Sequence, residues 1–165
     1  MIVIKKAGAE YIPVIKQLAE ITWAVAYNSI LSPEQMQYML QLFYSERSLQ
    51  EQMDKGHQFI IAFDDSVAVG FAAYSPKKIN STDVYRLHKL YIDPQQQVKG
   101  FGKILLNFII DDIKPAPARI LELNVNRYNT ALGFYQRSGF VITGEEDIDI
   151  GNGYFMNDYV MEKVI

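Results

Sequence analysis

Gly100 and Gly102 sit in the run Gln97-Val98-Lys99-Gly100-Phe101-Gly102-Lys103, between a β-branched stretch ending at Ile92 and a helical pattern that starts at Gly102. Glycine lets backbone pass close to a ligand with no side chain in the way. The first N–H groups of a helix have no intrahelical partner and carry the positive end of the helix dipole. A loop of this kind, with Lys99 and Lys103 beside it, suits a pyrophosphate. Spacing excludes two other nucleotide loops. A Walker loop needs glycine where Gln97 stands and a hydroxyl where Ile104 stands. A Rossmann fingerprint needs glycine where Leu105 stands. A plain loop with turn glycines is the alternative, and the pattern alone does not separate the two.

Other side chains could carry proton transfer or binding. His88 lies two residues before Leu90 on a strand-like run, which would turn both to one face. Its unperturbed pKa of roughly 6.5 suits a general base, although a lone strand histidine can equally be structural. Trp23, Tyr27 and Tyr38 would form an aromatic pocket able to hold a cation, or simply pack amphipathic helices. Phe134-Tyr135 reads, without further context, as an aromatic pair packing a core.

Composition removes whole classes of chemistry. The chain of 165 residues has no cysteine and two histidines, so thiolate nucleophiles are out and a metal cage is not expected. A net charge of −3 argues against a nucleic-acid partner. No stretch approaches the ~20 apolar residues of a membrane span, and Met1 to Lys6 lacks the order of a signal peptide. The expectation is one cytoplasmic domain over residues 1–165, with no membrane partner; a homodimer stays open.

Hydrophobic period supplies the scaffold. Ile2 to Ile4 reads as a strand, and residues 9–26 as a helix with Ile12, Ile15, Leu18 and Ala19 on one face. Ser32-Pro33-Glu34 starts a second helix, and Ser48 to Lys55 a short third. His57 to Phe63 and Val67 to Tyr74 flank the turn Asp64-Asp65-Ser66, and Val84 to Ile92 is a long strand ended by Asp93-Pro94. Gly102 to Lys114 is a helix, Leu121 to Val125 a strand, Asn129 to Ser138 a helix closed by Gly139. Phe140 to Glu146 and Tyr154 to Val164 are closing strands. A helix after the long strand implies a parallel neighbour, and the hairpins are antiparallel, so the sheet is mixed.

Leu90-Tyr91-Ile92-Asp93-Pro94 followed by Gln97-x-x-Gly100-x-Gly102 resembles the core motif of the GNAT N-acetyltransferases. Leu123-Asn124-Val125-Asn126, then Asn129-Thr130-Ala131, Phe134-Tyr135 and Gly139-Phe140, is similar to the family's second signature, with Asn129 one residue closer to the alanine than in many members. The resemblance covers nearly the whole chain. It implies an α/β (α+β) domain with a mixed sheet of about seven strands, helices on both faces and a splayed strand pair. It also implies acetyl-CoA as cosubstrate, no metal, and direct transfer of acetyl to a primary amine. The coenzyme would lie on Leu90, Tyr91 and Ile92, on Gln97 through Lys103 (Gln97, Val98, Lys99, Gly100, Phe101, Gly102, Lys103) and beside Asn129. Tyr135 would stand near the sulfur as the acid, and His88 is the candidate base. The early helices and the tail from Gly151 resemble a bacterial spermine/spermidine acetyltransferase-like branch, which implies a polyamine or other small amine held by Trp23, Tyr27 and Tyr38. Protein N-terminal or lysine acetylation, and an acyl-CoA-binding module without chemistry, are the alternatives.

Overall fold

The computed structural model describes residues 1–97 and 99–165. Its strands and helices are β1 (Ile2–Ala7), α1 (Ile12–Ala26), α2 (Pro33–Tyr44), α3 (Glu46–Asp54), β2 (Gln58–Asp64), β3 (Val67–Lys78), β4 (Ser81–Ile92), α4 (Phe101–Ile113), β5 (Ile120–Asn126), α5 (Ala131–Arg137), β6 (Val141–Gly151) and β7 (Tyr154–Val164). The seven strands form one sheet in the order β1-β2-β3-β4-β5-β7-β6. Among the described residues only β4 and β5 pair in parallel, with α4 as their crossover. The mixed sheet with helices on both faces matches the expectation.

Each face buries its own core. Leu105, Ile109 and Ile113 of α4 pack on Leu87, Leu121 and Leu123. On the other face Ile15, Leu18 and Trp23 of α1, with Leu49 of α3, pack on Phe59, Ile61 and Phe71. Full burial of one such side chain stabilises by about 1.5–3 kcal/mol, so these two stripes hold the sheet between the helices.

Local chemistry moved some boundaries. Ser45 caps α3, its hydroxyl accepting from the Ser48 amide at 3.2 Å, so that helix begins earlier than its apolar period suggested. Asn129 stays outside α5 because its side chain accepts from the Ala131 amide at 2.9 Å. The strand expected to stop at Glu146 continues to Gly151, since β6 pairs with β7 as far as the Asn152-Gly153 turn.

Two irregularities position the site. The β4–β5 ladder runs only from Val84↔Ile120 to Leu87↔Leu123, after which β4 continues beside β3 and β5 beside β7. The two strands therefore part at Leu87. In the β3–β4 ladder Tyr74 faces Leu87 and Ala73 faces Lys89, which leaves His88 as the extra residue of a bulge. A bulge breaks the alternation of faces. Leu90 packs with the α4 core, whereas His88 meets Ser75 and His57, on the α3 side. The expectation that His88 and Leu90 share a face is corrected by this one residue.

Candidate active site

A cavity of about 1020 Å³ opens where β4 and β5 separate. At one end stand Gln97, Gly100, Gly102 and Lys103; Leu90, Tyr91, Ile92, Asn129 and Tyr135 line its length. Among the described residues helix α4 begins there without a side-chain cap, and Gly100 takes φ +79° to turn the chain into it. Gly102 is set by proximity: a Cβ there would lie 3.3 Å from the Phe134 ring. The loop glycines thus bring an open helix start against α5 at the mouth of the strand gap. Phe101 is 1% exposed in the core and Lys99 does not line the cavity, so their side chains take no part in its wall. Val98 lies outside the described residues.

Tyr135 projects from α5 against Phe134 and Phe140, with ring centroids 5.3 and 5.6 Å away. Burial pushes its phenol pKa upward, and neighbouring Tyr27 adds to the shift. The hydroxyl therefore stays protonated at neutral pH and can donate. It has no side-chain partner among the described residues.

Asn129 is pinned. Its carbonyl caps α5 at Ala131, and its amide donates to the Tyr27 hydroxyl at 3.3 Å. Tyr27 and Tyr91 hydroxyls lie 3.1 Å apart, so the end of α1, β4 and the start of α5 are tied at the cavity. Trp23 and Tyr27 line it as expected, although both are buried. Tyr38 does not line it. Its hydroxyl donates to the Ile150 carbonyl at 2.6 Å and its ring packs on Tyr154. The second helix restarts at its Ser32 cap, so its phase does not continue that of α1, and Tyr38 serves the β6–β7 hairpin instead.

His88 does line the cavity, with Nε2 2.7 Å from Ser75 Oγ. Burial, then His57, Lys89 and Arg86, lower its pKa to about 3. Burial with Lys89 and Lys55 lowers that of His57 to about 4. Both rings are neutral at physiological pH, and His88 is a weak base there. Lys89 donates to Gln52 Oε1 at 2.7 Å, with its ammonium over Tyr44 and Phe59, and burial lowers its pKa to about 8.

The sequence reading missed the polar floor beyond the gap. Arg86 donates to Glu122 and, at 2.7 Å, to Asn124 Oδ1. The Asn124 amide donates to Glu146 at 3.2 Å and to Asp158 at 3.3 Å. Asp158 is 6% exposed and lines the cavity. Tyr154-Met156-Asp158 alternates inward along β7, and a carboxylate at an inward position was the available signal. Two further polar atoms of the cavity wall, Trp23 Nε1 and His57 Nδ1, are buried without a hydrogen-bond partner among the described residues. Such groups are few in native interiors.

A model of the GNAT acetyltransferase domain matches residues 28–162. The spermidine N(1)-acetyltransferase of Thermoplasma acidophilum is 28% identical over 97% of this chain and 95% of its own. A peptidyl-lysine N-acetyltransferase, YjaB of Salmonella typhimurium, is 40% identical over 39% of this chain and 43% of its own. The crystal structure of the PaiA N-acetyltransferase from Thermoplasma acidophilum in complex with coenzyme A superposes with a TM-score of 0.84 at 27% identity, over 100% of this chain and 99% of that one. With the strand gap, the glycine-bounded helix start and these matches in agreement, the chain belongs to the GNAT family of N-acetyltransferases.

Proposed function

We propose that the chain transfers the acetyl group of acetyl-CoA to a primary amine of a polyamine or similar small amine, by direct attack with no covalent enzyme intermediate. The observation that carries this reading is one cavity running from the start of α4 through the β4–β5 gap to the polar floor. The residues fit the coenzyme. The uncapped amides of α4 and the Lys103 ammonium suit its phosphates. The β4 edge from His88 to Ile92, freed by the gap, suits the amide-bearing pantetheine arm. Gln97, Gly100, Gly102, Lys103, Leu90, Tyr91 and Ile92 would hold it, and Asn129 would position Tyr27 and α5.

When bound, acetyl-CoA supplies a thioester carbonyl open to attack by a neutral amine. Tyr135 donates its proton to the departing sulfur. Trp23 and Tyr27 wall the acceptor side. The spermidine-acetylating relative, aligned over nearly the entire chain, supports the polyamine class. A cytoplasmic setting goes with this reading.

Thiol release measured with spermidine, simple alkylamines, and Ala-starting, Ser-starting and lysine peptides tests it. Spermidine should be the fastest acceptor. Faster release with peptides would replace the reading by protein acetylation. Coenzyme binding without release on any amine would leave a binding module.

A further inference from the structure

Asp158 is a buried carboxylate that lines the cavity and has no cationic side chain paired to it among the described residues. The one side-chain hydrogen bond it accepts there comes from Asn124. The cations nearby are committed elsewhere. Arg86 serves Glu122 and Asn124, while Arg127 serves Asp147 and the carbonyls of Glu146 and Asp158. Glu146 shares the Asn124 amide and adds negative charge from β6. Tyr27 faces Asp158 from α1, and its phenol feels that charge. A buried carboxylate without a counter-charge is costly, and a cationic ligand would remove the cost. Lys89, on the α3 side of the same cavity, repels a cation away from that wall.

We propose that Asp158, steadied by Asn124, receives the acceptor's ammonium in the cavity and takes its proton before attack. This rests on the amine-acetylating function above. One N–H bond of the ammonium breaks and an O–H bond forms on the carboxylate. The freed lone pair attacks the thioester carbon, the C–S bond breaks, and the sulfur takes the Tyr135 proton as it leaves. The amine's second proton is lost as the amide forms and restores the Tyr135 hydroxyl, and Asp158 returns its proton to solvent. The net products are amide, thiol and one proton. Burial, reinforced by Glu146 and opposed by Asn124, Arg127 and Arg86, raises the Asp158 pKa, which makes it a stronger base than an exposed carboxylate.

Asp158→Asn keeps the shape and the Asn124 contact. Turnover on spermidine should fall about a hundredfold or more, and the acid limb of the pH–rate profile should disappear. The penalty should shrink for trifluoroethylamine, a weakly basic amine already neutral at assay pH. A structural role would penalise both amines equally. In the wild-type protein without coenzyme, a carbon NMR titration of the Asp158 carboxyl should give a midpoint above the ordinary carboxylate range that falls when spermidine is added. An unmoved midpoint, an equal penalty on both amines, or an unchanged pH profile would overturn the assignment. No thiol release by the wild type with any amine would instead overturn the function on which it rests.

Discussion

The His88 ring lies flat against the His57 ring, with centroids 4.0 Å apart and planes 3° from parallel. Two imidazolium ions could not share that stack, and Lys89 beside them opposes either charge. The bulge in β4 creates the arrangement, because an unbulged strand would send His88 to the α4 face.

Acid should therefore destabilise the fold through this pair. Unfolded histidines bind protons near pH ~6.5, whereas the folded values are about 3 and about 4. Between these limits the unfolded chain holds more protons, so stability is complete above pH ~6.5 and falls as pH drops toward the folded values. A pKa lowered by one pH unit on folding corresponds to about 1.4 kcal/mol, reduced for the half-exposed His57 by solvent. Urea midpoints from pH 7.5 to 4.5 should fall steeply in the wild type and less in His88→Gln. An identical slope in both would remove the pair as the cause.

Acetyl-CoA at 100 times its dissociation constant should stabilise the wild type by about 2.7 kcal/mol. Gly102→Asp sets an anion at the open helix start and a Cβ against Phe134. Its thermal shift with coenzyme should vanish. A retained shift would move the phosphate site elsewhere.

Asn129→Ala removes the α5 cap and the donor to Tyr27 together. A lost cap costs about 1 kcal/mol, with a range of roughly 0.5–2. The melting temperature should drop accordingly and coenzyme affinity should weaken only modestly, since Asn129 acts through its neighbours. A large affinity loss with no stability change would make it a direct contact instead.

The glycine-bounded start of α4 is legible because helix starts and glycine spacing are local, whereas the parting of β4 from β5 is implied in the sequence only by the family resemblance. The face that His88 takes is not legible, because a bulge depends on the partner strand, which no period reports. The surroundings of Asp158 are not legible, because Asn124 and Glu146 come to it from other strands. Tyr38 does not follow Trp23 and Tyr27 to the cavity, because its partner, the Ile150 carbonyl, is far along the chain.

Tyr135→Phe is the cleanest test of the acid. The ring keeps its edge contacts with Phe134 and Phe140, and the buried apolar area is almost the same. The hydroxyl has no side-chain partner among the described residues, so its removal leaves no donor or acceptor stranded. Melting temperature and coenzyme affinity should barely move. Turnover should fall roughly ten- to a thousandfold, up to ~4 kcal/mol of barrier, because a thiolate departs in part without its proton. The burial that raises the Tyr135 pKa keeps it protonated through the assay range, so the wild type should show no loss of activity on the alkaline side from this group below pH ~10. Unchanged turnover would make Tyr135 a packing residue. Lost activity with an equal loss of stability would assign the hydroxyl to the fold rather than to the chemistry.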